Sequence, residues 1–154
     1  MIPEKVRRIL TENELVALEF APGSTPTSET AAQQIGVQVG QIAKSMVLKA
    51  KTGCYYLVIC PGDLRICNKK AKKIIGSRVR MAQASETQQV TGFKPGGVCP
   101  FGVDNLDILI DERLAQYQAI YPAAGTDASG VAVTFSQLQT ITAARVVDIM
   151  LEDR

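Results

Sequence analysis

The segment Gly96-Gly97-Val98-Cys99-Pro100-Phe101-Gly102 places three glycines and a proline within seven residues. Neither a helix nor a central strand tolerates that density, because glycine loses the most backbone entropy on ordering and proline has no N–H to donate. The heptad therefore reads as an irregular loop with unusual φ/ψ values and a main chain that approaches something closely. It predicts a pocket built from backbone. A second constraint is an absence: the chain contains no histidine. Chemistry near neutral pH then falls to lysine, hydroxyls, main-chain amides and the substrate's own groups.

At 154 residues the chain is sized for one domain, residues 1–154, in which folding buries roughly 70% of the extended surface. No apolar run is long enough to span a bilayer. Met1-Ile2-Pro3-Glu4-Lys5 leads directly into an amphipathic pattern, without a charged-then-apolar leader. The expectation is a cytoplasmic protein. Cys54, Cys60, Cys67 and Cys99 include no C-x-x-C pair, and with no imidazole available a metal site is not expected. Cys54 and Cys60 flank an apolar run and read as small hydrophobes. Cys99 lies in the glycine-rich loop, with no histidine to make it a thiolate nucleophile.

Charge is distributed unevenly. Residues 44–94 hold eleven Lys/Arg and two acids, Asp63 and Glu86, against three and five in residues 1–43 and three and eight in residues 95–154. Arg65, Lys69, Lys70, Lys72, Lys73, Arg78 and Arg80 follow one another with no acid between them. A helix from an Asn68 N-cap to a stop at Gly76 carries the lysines. Such a face suits a phosphate backbone, or it keeps the protein soluble; the run alone leaves both open.

Helical and strand signals alternate in short pieces. Pro3 with Val6, Ile9 and Leu10 predicts a helix over 3–13, followed by a strand over 15–20. Thr27 or Ser28 caps a helix over 29–35 that stops at Gly36. Residues 42–51 and 55–60 form a hairpin around Thr52-Gly53. A strand over 78–81 precedes a helix with a Ser85/Gln88 capping box that ends at Gly92. Strands over 106–110, 119–121, 131–135 and 145–150 follow, with Asp111 capping one helical turn and Ser136 capping a helix to 141. The pattern is α+β: a curved mixed sheet of about seven strands with short helices around it.

Lys44 in Ile42-Ala43-Lys44-Ser45-Met46-Val47, the heptad, and the loop 125–130 converge as a candidate site. With Thr25-Pro26-Thr27-Ser28-Glu29-Thr30-Ala31-Ala32, the lysine motif and the G-x-x-x-P-F-G pattern resemble the YbaK/prolyl-tRNA synthetase-associated editing-domain family of aminoacyl-tRNA deacylases. The likeness runs in the same order over nearly the whole chain. It implies a barrel-like sheet and hydrolysis of the ester between a wrong amino acid and the terminal adenosine of tRNA, with tRNA(Pro)-type substrates first. Beginning at its own methionine, the chain resembles the stand-alone members. Such enzymes exist because a synthetase pocket discriminates a near-isostere by only about 1–3 kcal/mol.

The resemblance further implies that Lys44 grips the terminal nucleotide, that N–H groups around Gly97, Val98 and Gly102 hold the ester carbonyl, and that a ribose hydroxyl helps activate water. Thr25, Thr27, Ser28, Ser45, Gly96, Cys99, Pro100, Phe101, Asp127, Ser129 and Gly130 are the candidate substrate contacts. Thr27 and Ser28 are equally explained as caps, and Phe101 as packing. Lys69, Lys70, Lys72, Lys73, Arg78 and Arg80 are the candidate tRNA contacts. The implied partners are the acceptor end of tRNA and a synthetase, with no cofactor, membrane or DNA. Many relatives carry a histidine where Ala128 stands, and cysteine-specific relatives an acid where Gly130 stands, so neither contact transfers. The alternatives are a non-catalytic tRNA-binding or synthetase-accessory module, and a small-molecule binder whose glycine loop holds a carboxylate or phosphate.

Overall fold

The run Tyr55-Tyr56-Leu57-Val58-Ile59-Cys60-Pro61 has almost no polar position, the signature of a strand covered on both faces. In the computed structural model, which describes residues 1–152, it is the central strand of a five-stranded sheet. The last two residues of the expected 1–154 domain lie outside that description. The strands are β1 (Ala17–Glu19), β2 (Ala43–Ala50), β3 (Tyr55–Pro61), β4 (Val79–Met81), β5 (Asp107–Asp111), β6 (Ser129–Val131) and β7 (Arg145–Val147). The main sheet has the order β4-β2-β3-β5-β7, antiparallel through β4, β2 and β3 and parallel through β3, β5 and β7. β1 and β6 form a separate antiparallel ribbon.

Alternation along the strands divides the interior in two. Leu57, Ile59, Ile108 and Ile110 enter a large core shared with α1 (Glu4–Glu12), α5 (Phe135–Thr142) and the glycine-rich segment. Val58, Cys60 and Leu109 face the other way, against α3 (Asn68–Ile75) and Ile149-Met150. The remaining helices are α2 (Ser28–Ile35) and α4 (Ala84–Thr91).

Element types follow the sequence expectations, and several boundaries differ for identifiable reasons. β1 starts at Ala17 because Leu15 belongs to the end of α1: its N–H donates to the Leu10 carbonyl at 2.8 Å, closing a Schellman turn through Glu14 at φ 58. The cap of α3 is Cys67, not Asn68, and its side chain makes no capping bond. The cap of α4 is Gln83, whose N–H donates to Glu86 at 2.9 Å, in place of the Ser85/Gln88 pair. Thr134 caps α5 by accepting from the Gln137 N–H at 3.1 Å, displacing Ser136. Residues 119–121 make only isolated bridges, Ile42 with Tyr121 and Ile120 with Val133, and β6 lies at 129–131 instead of 131–135. Those bridges carry β2 toward the ribbon without closing the sheet into the expected barrel.

Asp111 fastens the carboxyl-terminal segment to the sheet. Fully buried, its carboxylate accepts from the Arg113 N–H and the Ile149 N–H, each at 2.9 Å, and pairs with the Arg113 guanidinium at 3.1 Å. Arg113 continues to Asp148 at 2.8 Å, which also holds Lys70 at 2.9 Å. Lys70 and then Arg113 keep the Asp148 carboxyl below its ordinary range. Glu86 is lowered further, first by the Arg80 guanidinium and then by the Gln83 N–H and Tyr55 hydroxyl.

Replacing Asp111 with Ala leaves buried donors without an acceptor. The expected loss is roughly 3–5 kcal/mol, a drop in Tm of about 10 °C by thermal denaturation. Both depressed carboxyls stabilise the fold fully above the usual carboxylate pKa of about 4 and lose that contribution as pH falls toward their folded values. A Glu86→Gln/Asp148→Asn variant should therefore show a smaller decline in Tm between about pH 5 and pH 3 than the parent protein.

Candidate active site

The amino-terminal end of β2 meets three irregular segments around a cavity of about 330 Å³. Lys44 and Ser45 line it from the strand, Thr25 to Glu29 from the start of α2, Gly62 from the turn after β3, and Gly96 and Val98 from the glycine-rich loop. Ala31, Ile35, Ile42, Ala123 and Tyr121 supply an apolar wall, which with the polar rim gives the mixed character of a small-molecule site.

Lys44 lies opposite Cys60 in the β2–β3 register. Its ammonium donates to the Leu64 carbonyl at 3.2 Å, which fixes its direction and leaves two donors for another oxygen. Thr25 is buried and structural: its N–H donates to the Asp127 carbonyl at 2.6 Å and its hydroxyl accepts from the Ser129 N–H at 3.2 Å. Ser129, also buried, accepts from the Ala124 N–H at 3.0 Å, and Asp127 accepts from the Gly23 N–H at 3.2 Å. These bonds latch the segment before α2 to the loop 123–129. Thr27 combines both expected roles, capping α2 through the Thr30 N–H at 3.2 Å while facing the cavity. Among the described residues, Ser45 carries the buried side-chain oxygen that has no partner.

The heptad divides. Gly96 takes φ +85, where a Cβ would lie 3.4 Å from the Pro26 backbone; Val98 lines the cavity, and its N–H has no protein acceptor among the described residues. Gly97 lies behind them. Its N–H is committed to the Lys94 carbonyl at 3.0 Å, and a Cβ there would stand 2.9 Å from the Thr126 Cα. Cys99 and Phe101 turn fully into the core. Burial pushes the Cys99 thiol up to about 12, and the Cys60 thiol likewise, so neither is a thiolate near neutral pH. Pro100 and Gly102 border a different groove beside α1, where Gly102 at φ +80 packs under the Lys5 side chain. Gly130 pairs with Leu18 in the ribbon, behind the cavity wall.

The basic residues also separate. Lys69, Lys72, Lys73 and Arg78 are exposed, and none has an ion pair among the described residues. Lys70 is occupied by Asp148 and the Met150 carbonyl, each at 2.9 Å. Arg80 is held by both oxygens of Glu86, at 2.9 and 3.0 Å.

Sequence reasoning did not single out Gly62, Ile35 or Ile42. Gly62 follows directly on β3, and a Cβ there would lie 2.7 Å from the Ser28 Cβ, so the glycine allows β3 and α2 to meet at the cavity. Ala31 and Ile35, four apart on α2, were the available signal for an apolar wall.

Residues 22–141 match the aminoacyl-tRNA editing domain. The chain is 33% identical over 136 residues to the uncharacterized protein YwhH of Bacillus subtilis (strain 168), covering 88% of this chain and 85% of that one. It is 27% identical over 130 residues to EbsC of Enterococcus faecalis, named as a candidate Cys-tRNA(Pro)/Cys-tRNA(Cys) deacylase, covering 82% and 79%. A crystal structure of a candidate trans-editing enzyme for prolyl-tRNA synthetase superposes with a TM-score of 0.86 at 34% identity, over 98% of this chain and 99% of that one. The chain belongs to the aminoacyl-tRNA editing domain family.

Proposed function

We propose that this protein is a trans-acting deacylase that hydrolyses the ester of a mischarged tRNA, with tRNA(Pro) species as its first substrates. The family supplies the class, aminoacyl-tRNA deacylation. The observation that carries the assignment to this site is that Lys44 and the Gly96–Val98 turn border one cavity, the first bearing a cation and the second a main-chain N–H with no protein acceptor among the described residues. At about 330 Å³ it lies at the low end of the roughly 300–1,000 Å³ typical of ligand pockets. That is room for an aminoacyl end and not for a folded nucleic acid. The tRNA(Pro) reading draws on the names of two relatives, one a deacylase and one an editing partner of prolyl-tRNA synthetase.

In this mechanism the two remaining Lys44 donors bind a phosphate or ribose oxygen of the terminal nucleotide. The Val98 N–H donates a hydrogen bond to the carbonyl oxygen as negative charge builds on it when water adds to the acyl carbon. The neighbouring ribose hydroxyl orients that water, the bond from acyl carbon to ribose oxygen breaks, and the water's proton ends on the departing ribose oxygen. The products are a free amino acid and an uncharged tRNA. An aminoacyl ester is an activated acyl group, so no side-chain nucleophile is required. Lys69, Lys72, Lys73 and Arg78 offer the exposed positive surface for the tRNA backbone.

The decisive assay follows deacylation of a panel of mischarged tRNAs. Lys44→Ala should reduce turnover by at least ~100-fold with an unchanged melting temperature; full activity in the variant would overturn the assignment. Reversing Lys69, Lys72, Lys73 and Arg78 to Glu should weaken tRNA binding and flatten its dependence on salt. Binding unaltered at low salt would remove that face from the reading. Titration with a thiol reagent should modify exposed Cys54 rapidly and reach Cys60 and Cys99 only on unfolding, with deacylation unaffected while those two remain protected.

A further inference from the structure

Gly130 is a glycine that its own backbone does not require, since its φ lies outside the left-handed region where glycine is favoured. The reason for it is lateral. A Cβ at this position would stand 2.9 Å from the Ile35 Cδ1, closer than real side chains approach, while the Pro122 carbonyl oxygen is 3.9 Å away. The crowded atom is the tip of a side chain, so it can yield. What matters is the direction in which it yields.

Ile35 is the last residue of α2 and lines the cavity. It belongs to a packed apolar cluster with Ala31, Ala32, Ile42, Val37, Val39 and Tyr121, of which Ala31, Ile42 and Tyr121 share the cavity wall with it. Close-packed neighbours do not admit an extra methyl group without strain, whereas the cavity is open volume. A side chain at position 130 therefore drives Ile35 into the space where the acyl group would lie.

We infer that Gly130 sets the largest acyl group the cavity admits, by leaving Ile35 withdrawn from it. This rests on the deacylase reading above. Gly130 is a positioning residue that touches no substrate and acts through Ile35. The consequence is a size limit at the scale of one methyl group, and a methylene in an apolar pocket is worth roughly 10–200-fold in discrimination.

The test compares the parent protein with G130A, I35V and G130A/I35V. Each is assayed for hydrolysis of tRNA chemically acylated with alanine, 2-aminobutyrate or valine. Each is also titrated with the non-hydrolysable 3′-amide analogues of the same three aminoacyl adenosines. G130A should lower the 2-aminobutyryl-to-alanyl ratio at least ~10-fold. Removing the Ile35 Cδ1 in the double variant should return the ratio to within about threefold of the parent, a rescue that general destabilisation does not produce. I35V alone should raise the ratio, which keeps the inference testable even where G130A folds poorly. An unchanged ratio in folded G130A, or no response to I35V, overturns the size limit and leaves the deacylase reading standing. Analogue binding in the expected order without hydrolysis of any ester overturns the deacylase reading and leaves the size limit standing. A parent protein that binds none of the analogues overturns both.

Discussion

The close approach of two main chains at Gly97 and Thr126 is the contact on which the site depends. Gly97 lies against the Thr126 Cα and the Gly125 carbonyl, where a Cβ would meet atoms at 2.9 to 3.1 Å. Backbone atoms cannot rotate aside as a side-chain tip can, so any other residue there forces the two loops apart. The Thr126 loop is in turn joined to the stretch before α2, where Thr25 donates its N–H to the Asp127 carbonyl and accepts from the Ser129 N–H. Three loops distant in sequence thus become one rigid rim, while β2 supplies Lys44 from the sheet. A cavity with these walls needs no ligand to define its shape, which is the preorganisation that a site made of main-chain donors requires.

This arrangement explains which parts of the site were legible in the sequence. Lys44, Ser45, Gly96, Val98, Thr25, Thr27 and Ser28 all face the cavity, and each belongs to a short contiguous motif whose composition is unusual for ordinary packing. What the string could not show was the direction of each heptad residue. Cys99 and Phe101 turn inward to the core, and Gly102 serves a positive φ beneath Lys5. A loop has no fixed period from which to assign inside and outside, unlike the strands on either side, where alternation placed Leu57 and Ile59 opposite Val58 and Cys60.

The basic segment shows the same limit for charge. A run of cations with no acid between them reads as a uniform face, yet Lys70 is matched by Asp148, 78 residues away, and Arg80 by Glu86 on the next helix. Both are structural charges in the fold. Sequence spacing shows which charges share an element, whereas the partner that neutralises one is set by the tertiary path. Among the described residues the unpaired remainder, Arg65, Lys69, Lys72, Lys73 and Arg78, is smaller than the sequence implied, and Lys69, Lys72 and Arg78 line one groove where α3 meets the amino-terminal side of β4.

The lack of histidine gains meaning from the rest of the molecule. Burial holds the Cys60 and Cys99 thiols protonated, and Asp111 is committed to Arg113 and Ile149. The Thr25 and Ser129 hydroxyls are spent on the latch. The cavity lining still offers the Lys44 ammonium, the partnerless Ser45 hydroxyl and the Glu29 carboxylate, and Val98 lines it with a main-chain N–H that has no protein acceptor among the described residues. A cation and a main-chain donor at one cavity stabilise negative charge that develops on a bound molecule, and neither an imidazole nor a thiolate is there to act as the nucleophile. Such a site therefore suits a substrate that already carries a good acyl leaving arrangement and a hydroxyl beside it. The terminal ribose of a charged tRNA, with an aminoacyl ester on one oxygen and a free hydroxyl on its neighbour, has both.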